Sequence, residues 1–501
     1  MGRLGSAVSA AILMALLAAC ASVEPKTGRE FQSALSPAPL DAWPGLAEHV
    51  DDNQIVPLNR GGLALRWRLR ALRAATRSID LQTFIWKGDG VGLALVREVV
   101  AAAERGVEVR ILLDDSFLAH AYDALLALSE HPNISYRIYN PAARRDGGMV
   151  MRELENLNDF QRINHRMHNK LLVVDGRVAI LGGRNLADEY FGYEERHNFR
   201  DFELVVSGPF VSRLSDVFDL YWNDPWSLDI ADLHQGDNEW SLASIESWLA
   251  ENANDHLDLA GSRPEDWAAL FSLGYPATIA LMVDAPPGAE HTLEGPVQLA
   301  GELIRRMDDT HRDMILISAY FIPTQPFMEA IERATSRGVR VRIFTNSLGA
   351  NNHVSAHAAY AAHRPALLAA GAEIYELRPD ASSRSYYLAS EVKDTRLGLH
   401  EKGALFDECC LFVGSANLDP RSLRLNTEVG LFIDSPALNA RLRQMLATDL
   451  MPPNAWKVEL DDSGDLLWIG PQGEQRHAPP ASFYLRLESW FFGLLPIESQ
   501  L

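Results

Sequence analysis

The sequence predicts an α/β protein made of two copies of one unit, each a mixed sheet flanked by helices, with the active site between the two halves. Three observations predict this. Strand-length apolar runs alternate with helix-length segments, the same alternation occurs twice, and a repeated His-Lys-Asp-Gly-Asn spacing keeps step with it.

In the first copy, residues 76–86 (TRSIDLQTFIW) read as a buried strand and 90–104 as a helix that ends at Arg105-Gly106-Val107. In the second copy, residues 313–323 (DMILISAYFIP), 325–336 and Arg337-Gly338-Val339 take the same places. Glycine suits the residue after a helix, where the backbone turns left-handed. Strands at 108–113 and 340–345 follow, and strand–helix–strand units of this length imply parallel pairing through a right-handed crossover. Gly106 and Gly338 lie 232 positions apart, as do His168 and His400. A spacing kept across both landmarks is explained by duplication.

The 501 residues, 47% of them apolar, suit a folded protein too long for one small domain. Asp+Glu 67 against Lys+Arg 46 gives a net charge of −21. That excess argues against a nucleic-acid partner, which calls for clustered positive charge, and against a polybasic membrane anchor. Three cysteines cannot form a disulfide scaffold, and a mean hydropathy of −0.10 does not suggest a multi-span membrane protein.

Each half carries one chemical motif. From His168, Lys170 lies at +2, Asp175 at +7, Gly182 at +14 and Asn185 at +17; from His400, Lys402, Asp407, Gly414 and Asn417 follow at the same offsets. Residues two apart on a strand share a face, and a hairpin turning at Asp175-Gly176 returns Asn185 toward His168. Asp175 and Asp407 precede or form turns and are expected to organise the fold. Two such halves face to face would present two imidazoles, two ammonium groups and two carboxamides. That set suits phosphodiester chemistry without metal or cofactor: the lysines and asparagines stabilise charge on phosphate oxygens, one histidine attacks phosphorus, and the other exchanges protons with the alcohols. Each histidine also requires an orienting carboxylate. Aligning residues 200–209 with 427–436 sets Asp201 opposite Glu428, the two candidates; they stand at +33 and +28 from the histidine of their own half, which implies a longer first loop.

These residues resemble the paired HxKxxxxD signatures of the phospholipase D superfamily, over both halves of the chain. The resemblance implies two phospholipase D-like domains, His168 as nucleophile and His400 as acid/base. Within the superfamily, residues 347–352, His357 to Tyr360, Tyr375 to Pro379 and Arg166 to Lys170 resemble bacterial cardiolipin synthases of the C type. That implies transfer of a phosphatidyl group onto phosphatidylglycerol, from phosphatidylethanolamine or a second phosphatidylglycerol. Hydrolysis to phosphatidic acid and a metal-independent nuclease are the alternatives. Arg166, Arg184 and His357 are candidate substrate contacts, although Arg184 has no counterpart in Gly414-Ser415-Ala416-Asn417.

Residues 1–20 carry Arg3, an apolar run from Ala7 to Leu17, two alanines and Cys20. The run is too short to span a bilayer and fits a secretory signal. Leu17-Ala18-Ala19-Cys20 resembles the lipobox of bacterial lipoproteins, which implies lipidation at Cys20; an ordinary cleaved signal with a spare thiol is the competing reading. Ala21 resembles an outer-membrane sorting signal, hence an expected place on the periplasmic face of that membrane. The expected organisation is a signal peptide (1–19), a tether (20–42), a first domain (43–223), an acidic insertion (224–290), a second domain (291–475) and a C-terminal amphipathic segment (476–501).

Weaker signals complete the reading. His353 and His357 have a zinc-like spacing, but Val354 stands where a metalloprotease needs glutamate, so no metal site is expected. Arg162, His165 and Arg166 could meet a lipid phosphate or form a solvated face. Asp114-Asp115 and Asn346-Ser347 end corresponding strands, where ligand crevices open. Cys409 and Cys410, being strand neighbours, are read as unlinked buried hydrophobes.

Overall fold

The computed structural model describes residues 23–43, 45–46, 51–118, 121–143, 159–234, 238–252, 265–288, 298–477, 481–495 and 498. The expected signal peptide and Cys20 lie outside these residues. Among the described residues no helix is long and apolar enough to cross a membrane.

Both copies fold as expected. The first sheet runs Tyr275–Pro276, Gln54–Leu58, Glu203–Ser207, Val178–Gly182, Leu171–Val174, Ser78–Thr83, Glu108–Asp114, Ile134–Tyr139, Ser227–Asp229. The second runs Thr278–Val283, Val429–Asp434, Cys410–Gly414, Lys402–Phe406, Asp313–Ser318, Arg340–Asn346, Glu373–Leu377, Ala455–Leu460, Leu466–Ile469, Gln475–Arg476. Ser78–Thr83 pairs in parallel with Glu108–Asp114, and Asp313–Ser318 with Arg340–Asn346. The crossover helices are Gly90–Glu104 and Gln325–Ser336, and Gly106 and Gly338 follow them at φ of 89° and 84°. The strands are shorter than the apolar runs that predicted them, because Phe84 to Trp86 and Ala319 to Pro323 leave the sheet to line the end where the motifs lie.

A shared core joins the halves. Leu171, Val173, Leu204 and Val206 of the first sheet pack in one cluster with Ile315, Ile317, Leu405 and Leu431 of the second, together with Phe218 and Leu442 from helices Val211–Trp222 and Pro436–Asp449. Leu172 and Val174 point the other way, into the outer core of the first half. Strands buried on both faces read as unbroken apolar runs, which accounts for Leu171-Leu172-Val173-Val174. A buried ion-pair set crosses the same seam: Arg200 of the first half meets Glu401 and, at 2.9 Å, Asp449 of the second.

The expected organisation needs correction at its edges. Residues 23–42 are not a free tether. Gln32 N–H bonds Asn223 Oδ1 at 2.9 Å, Ala34 N–H bonds Asp219 Oδ2 at 2.6 Å, and Ala38 N–H bonds the Asp175 carbonyl at 2.9 Å. Polar groups of the first half thus satisfy a backbone that composition alone suggests is solvated. Residues 224–290 are not one insertion either: Ser227–Asp229 and Tyr275–Pro276 complete the first sheet, and Thr278–Val283 is an edge strand of the second. The tryptophans explain the packing between them, with Trp267 lying 5.1 Å from Trp43 and 4.9 Å from Trp67, ring to ring. Cys409 and Cys410 are joined by a disulfide and half-buried; Cys409 ends the turn and Cys410 opens strand Cys410–Gly414, so the pair sits at a turn–strand junction where neighbouring side chains need not diverge.

The two motif aspartates each sit at a turn and bind backbone N–H groups. Asp175 is fully buried at φ 55° and accepts from the N–H groups of Thr76, Arg77 and Ser78, the Thr76 hydroxyl and, at 2.8 Å, the Trp43 indole. Asp407, at φ 45°, accepts from the N–H groups of His311, Arg312 and Asp313. Each thereby caps the first strand of its crossover. Asparagine tolerates this backbone but has only one acceptor oxygen. Asp175→Asn is therefore expected to cost about 3 kcal/mol and the half-exposed Asp407→Asn about 1 kcal/mol, read as shifts in the urea midpoint of the full chain. Equal costs would refute the ranking.

Candidate active site

The motif histidines sit just before the sheet strands, not within them, and each is held by the other half. Segment Arg396–Leu399 pairs in parallel with His197–Arg200, ending with Leu399 opposite Arg200. The next residues are His400 and Asp201. His400 N–H donates to the Arg200 carbonyl at 2.8 Å, and His400 Nδ1 lies 2.6 Å from Asp201 Oδ2. At the other seam Met167 bridges Thr427 in parallel, His168 N–H donates to the Thr427 carbonyl at 2.9 Å, and His168 Nδ1 lies 3.0 Å from both oxygens of Glu428.

The two carboxylates chosen from the sequence alignment each meet an imidazole, but crossed. Glu428 bonds His168 and Asp201 bonds His400. The unequal offsets within each half need no longer loop to explain them, because neither carboxylate serves its own half. Parallel pairing sets adjacent side chains on one face, so one residue of continued register suffices to join each ring to its carboxylate.

Corresponding polar groups fix the approach to each histidine. Asp114 Oδ2 accepts from Met167 N–H at 2.9 Å; Asn346 accepts from Leu399 N–H at 2.7 Å and donates to the Leu399 carbonyl at 2.8 Å. Both come 54 residues before their histidine, a signal present in the sequence. Rings pack the imidazoles: Phe84 lies 4.9 Å from His168, and Tyr190 and Phe199 lie 4.8 and 5.3 Å from His400. Nothing in the sequence pattern pointed to these.

The halves differ behind the carboxylates. A Cβ at Gly183 would stand 2.2 Å from Asp201 Oδ1, so glycine is what lets that carboxylate approach. At the matching position, Ser415 donates its hydroxyl to Glu428. The departure from Gly-Gly-Arg-Asn is therefore a hydrogen-bond donor, which the sequence comparison missed.

Lys170 Nζ donates to the His168 carbonyl at 2.7 Å; Lys402 Nζ bonds the His400 carbonyl and lies 2.9 Å from His400 Nδ1. Burial pushes Lys170 down to about 7 and Lys402 to about 8. Burial also lowers His168, an effect that Glu428 opposes, and takes His400 well below the ordinary imidazole value with help from Lys402, Lys170 and His168. The two rings and two lysines thus form one electrostatic unit. Burial raises Asp201. It also acts against ionisation of Glu428, but His168, Lys170 and the Ser415 hydroxyl outweigh it and hold Glu428 below the usual carboxylate range.

Asn185 Oδ1 accepts from Ile85 N–H at 3.3 Å, and its side chain bonds Tyr190, the residue packed on His400. Asn417 is buried, its Oδ1 without a hydrogen-bond partner among the described residues. Arg166 lies 3.8 Å from Asp114 and donates to the Asn140 carbonyl. Two other candidates face inward instead. Arg184, 1% exposed, donates to the Tyr190 and Asp201 carbonyls and so props Asp201 from behind. His357, also 1% exposed, has Nε2 2.6 Å from Arg364, which is held by Glu376 at 2.7 Å. His353 packs 5.4 Å from the Tyr320 ring. Arg162 stacks on Trp226 at 4.1 Å and His165 bonds the Leu425 carbonyl; both secure the loop before the motif.

Comparison with known proteins agrees with this geometry. Residues 69–222 and 303–450 match the family described as cardiolipin synthase, PLD-like domain. Cardiolipin synthase C of Escherichia coli strain K12 is 32% identical over 91% of this chain and 98% of its own length. Cardiolipin synthase B of Shigella flexneri is 26% identical, over 79% of this chain and 80% of its own. In fold, the phosphatidylserine synthase of Haemophilus influenzae superposes with a TM-score of 0.55 at 13% identity, covering 83% of this chain and 92% of that one. With both halves matched and both motifs meeting at one seam, the chain belongs to the phospholipase D superfamily, in its cardiolipin synthase, PLD-like domain family.

Proposed function

We propose that this protein is a phosphatidyltransferase that makes cardiolipin, joining the phosphatidyl group of one phospholipid to the free glycerol hydroxyl of phosphatidylglycerol. The observation that carries the reading is the crossed pair of imidazole–carboxylate units closing around two buried lysines, in a chain similar along nearly its whole length to a cardiolipin synthase.

With Nδ1 of each ring turned to a carboxylate, Nε2 is the nitrogen free for chemistry. His168 Nε2 attacks the donor phosphorus; the P–N bond forms as the P–O bond to the headgroup alcohol breaks, and protonated His400 gives its proton to the departing oxygen. The hydroxyl of phosphatidylglycerol then yields its proton to His400 as its oxygen attacks phosphorus, and the P–N bond breaks. Glycerol leaves if the donor is phosphatidylglycerol, ethanolamine if it is phosphatidylethanolamine. Lys170 and Lys402, with the Asn185 and Asn417 amides, stabilise the phosphoryl oxygens. Two ammonium groups and two carboxylates balance in the empty site; the phosphate adds one negative charge, and that charge draws onto His400 the proton it lacks beforehand. Lipidation at Cys20 and a place on the periplasmic face of the outer membrane belong to the same reading and rest on residues 17–21.

Three measurements test it. Pure protein incubated with labelled phosphatidylglycerol and phosphatidylethanolamine, chelator present, is expected to yield cardiolipin; phosphatidic acid as sole product would make it a hydrolase. The crossed pairing is tested with a donor carrying a p-nitrophenol leaving group, which departs without a proton. Glu428→Gln, acting through the nucleophile, is expected to lower the first-turnover release of nitrophenol by about 10²-fold or more. Asp201→Asn is expected to spare that release and lower turnover on natural donors by a similar factor; the reverse pattern would assign the roles oppositely. Because deprotonation removes the charge that holds phosphate, kcat/KM is expected to fall as pH rises past about 7 to 8, following Lys170 and Lys402. Bound phosphate favours the ammonium forms, so the fall in kcat lies at higher pH. A flat kcat/KM from pH 7 to 9 would refute the lysines' role.

A further inference from the structure

We propose that the C-terminal helix, Phe483–Phe492, is a docking surface for a phospholipid bilayer, placed to bring the active-site end of the molecule against the lipid. The proposal rests on the reading above that the substrate is a phospholipid.

The helix is apolar on the side where a surface helix is normally polar. Leu485, Ser489 and Phe492 are half-buried, and Ser489 Oγ lies 3.3 Å from His357 Nδ1 on helix Val354–Ala369. Toward solvent stand Phe483 (66% exposed), Tyr484 (80%), Trp490 (64%), Phe491 (55%) and Leu494 (62%). Burying such side chains is favourable, and a contiguous apolar face of this kind marks an interaction surface.

Three features name a bilayer as the occupant. The outward residues include Trp and Tyr, whose rings combine an apolar body with a polar tip suited to the headgroup boundary. The only charged side chains on the helix are Arg486 and Glu488, which cancel, so the face suits apolar insertion rather than a charged protein partner. The third is position. Ser482 and Leu485 line a cavity with Gly349, Pro379 and Arg396, and Arg396 opens the segment that delivers His400. At the other extremity of the chain, Lys26 N–H bonds the Pro225 carbonyl at 2.8 Å, beside Trp226, whose carbonyl accepts from Asn140 N–H just past strand Ile134–Tyr139. Both extremities of the described chain therefore reach the end of the sheets that carries the histidines.

The test uses the full chain and Tyr484→Ser/Trp490→Ser/Phe491→Ser, none of them in the catalytic machinery. Vesicles of phosphatidylglycerol and phosphatidylethanolamine are expected to slow amide exchange over residues 483–495 by roughly tenfold in the unaltered protein. The triple variant is expected to lose about tenfold of its turnover on vesicles and less than about twofold on short-chain lipids kept monomeric. Unchanged exchange would overturn the proposal, as would equal losses on both substrates, the sign of a structural role. Protection that grows with protein concentration in the absence of lipid would give the face to a second copy of the chain. No turnover of monomeric lipid by the unaltered protein would refute the enzymatic reading while leaving vesicle protection to decide docking.

Discussion

The structure depends on one arrangement: each motif imidazole bonds a carboxylate of the opposite half. His168 answers to Glu428 and His400 to Asp201. Neither half can hold a finished site, so the halves must be locked in register to within a hydrogen bond. The shared core, the parallel pairing of Arg396–Leu399 with His197–Arg200, and the buried Arg200–Glu401–Asp449 set all serve that lock. A buried charge stripped of its partner is strongly destabilising, so this seam resists the small shifts that would part a ring from its carboxylate.

Burial gives the same arrangement its reactivity. Burial makes the two lysines hold their protons weakly and, with their help, takes His400 well below the ordinary imidazole value. Electrostatic forces act more strongly in such a water-poor site than in solution. The differences between halves lie one layer further out, with a serine hydroxyl on Glu428 and a bare glycine beside Asp201. That layer makes the carboxylate of His168 the better stabilised anion, and it gives a near-symmetric site two unequal imidazoles.

Outside the duplicated unit, the additions have no symmetry to satisfy. Residues 23–43 bind along the first half, and the C-terminal helix covers part of the second. Trp43 joins the first addition to Asp175, so the polypeptide entering the domain also braces the turn of the first motif.

Much of this was legible in the residues. Period and punctuation located the crossover helices at 90–104 and 325–336, because local backbone preferences and glycine stops act over a few residues. Repeated spacing picked out the two histidines, the two lysines and the two turn aspartates, Asp175 and Asp407, whereas the N–H groups that the aspartates cap came from the structure. Alignment of the halves even found Asp201 and Glu428. Their crossed assignment was not legible, since it follows from register between segments 199 and 260 residues apart and leaves no local pattern. The same reason hid the inward turn of Arg184 and His357, the binding of residues 23–42, and the division of 224–290 between two sheets. Linear order states which chemical groups are present and which neighbours share a face; contacts across the seam are chosen by the packed core, which is where pairing, burial and acidity are set.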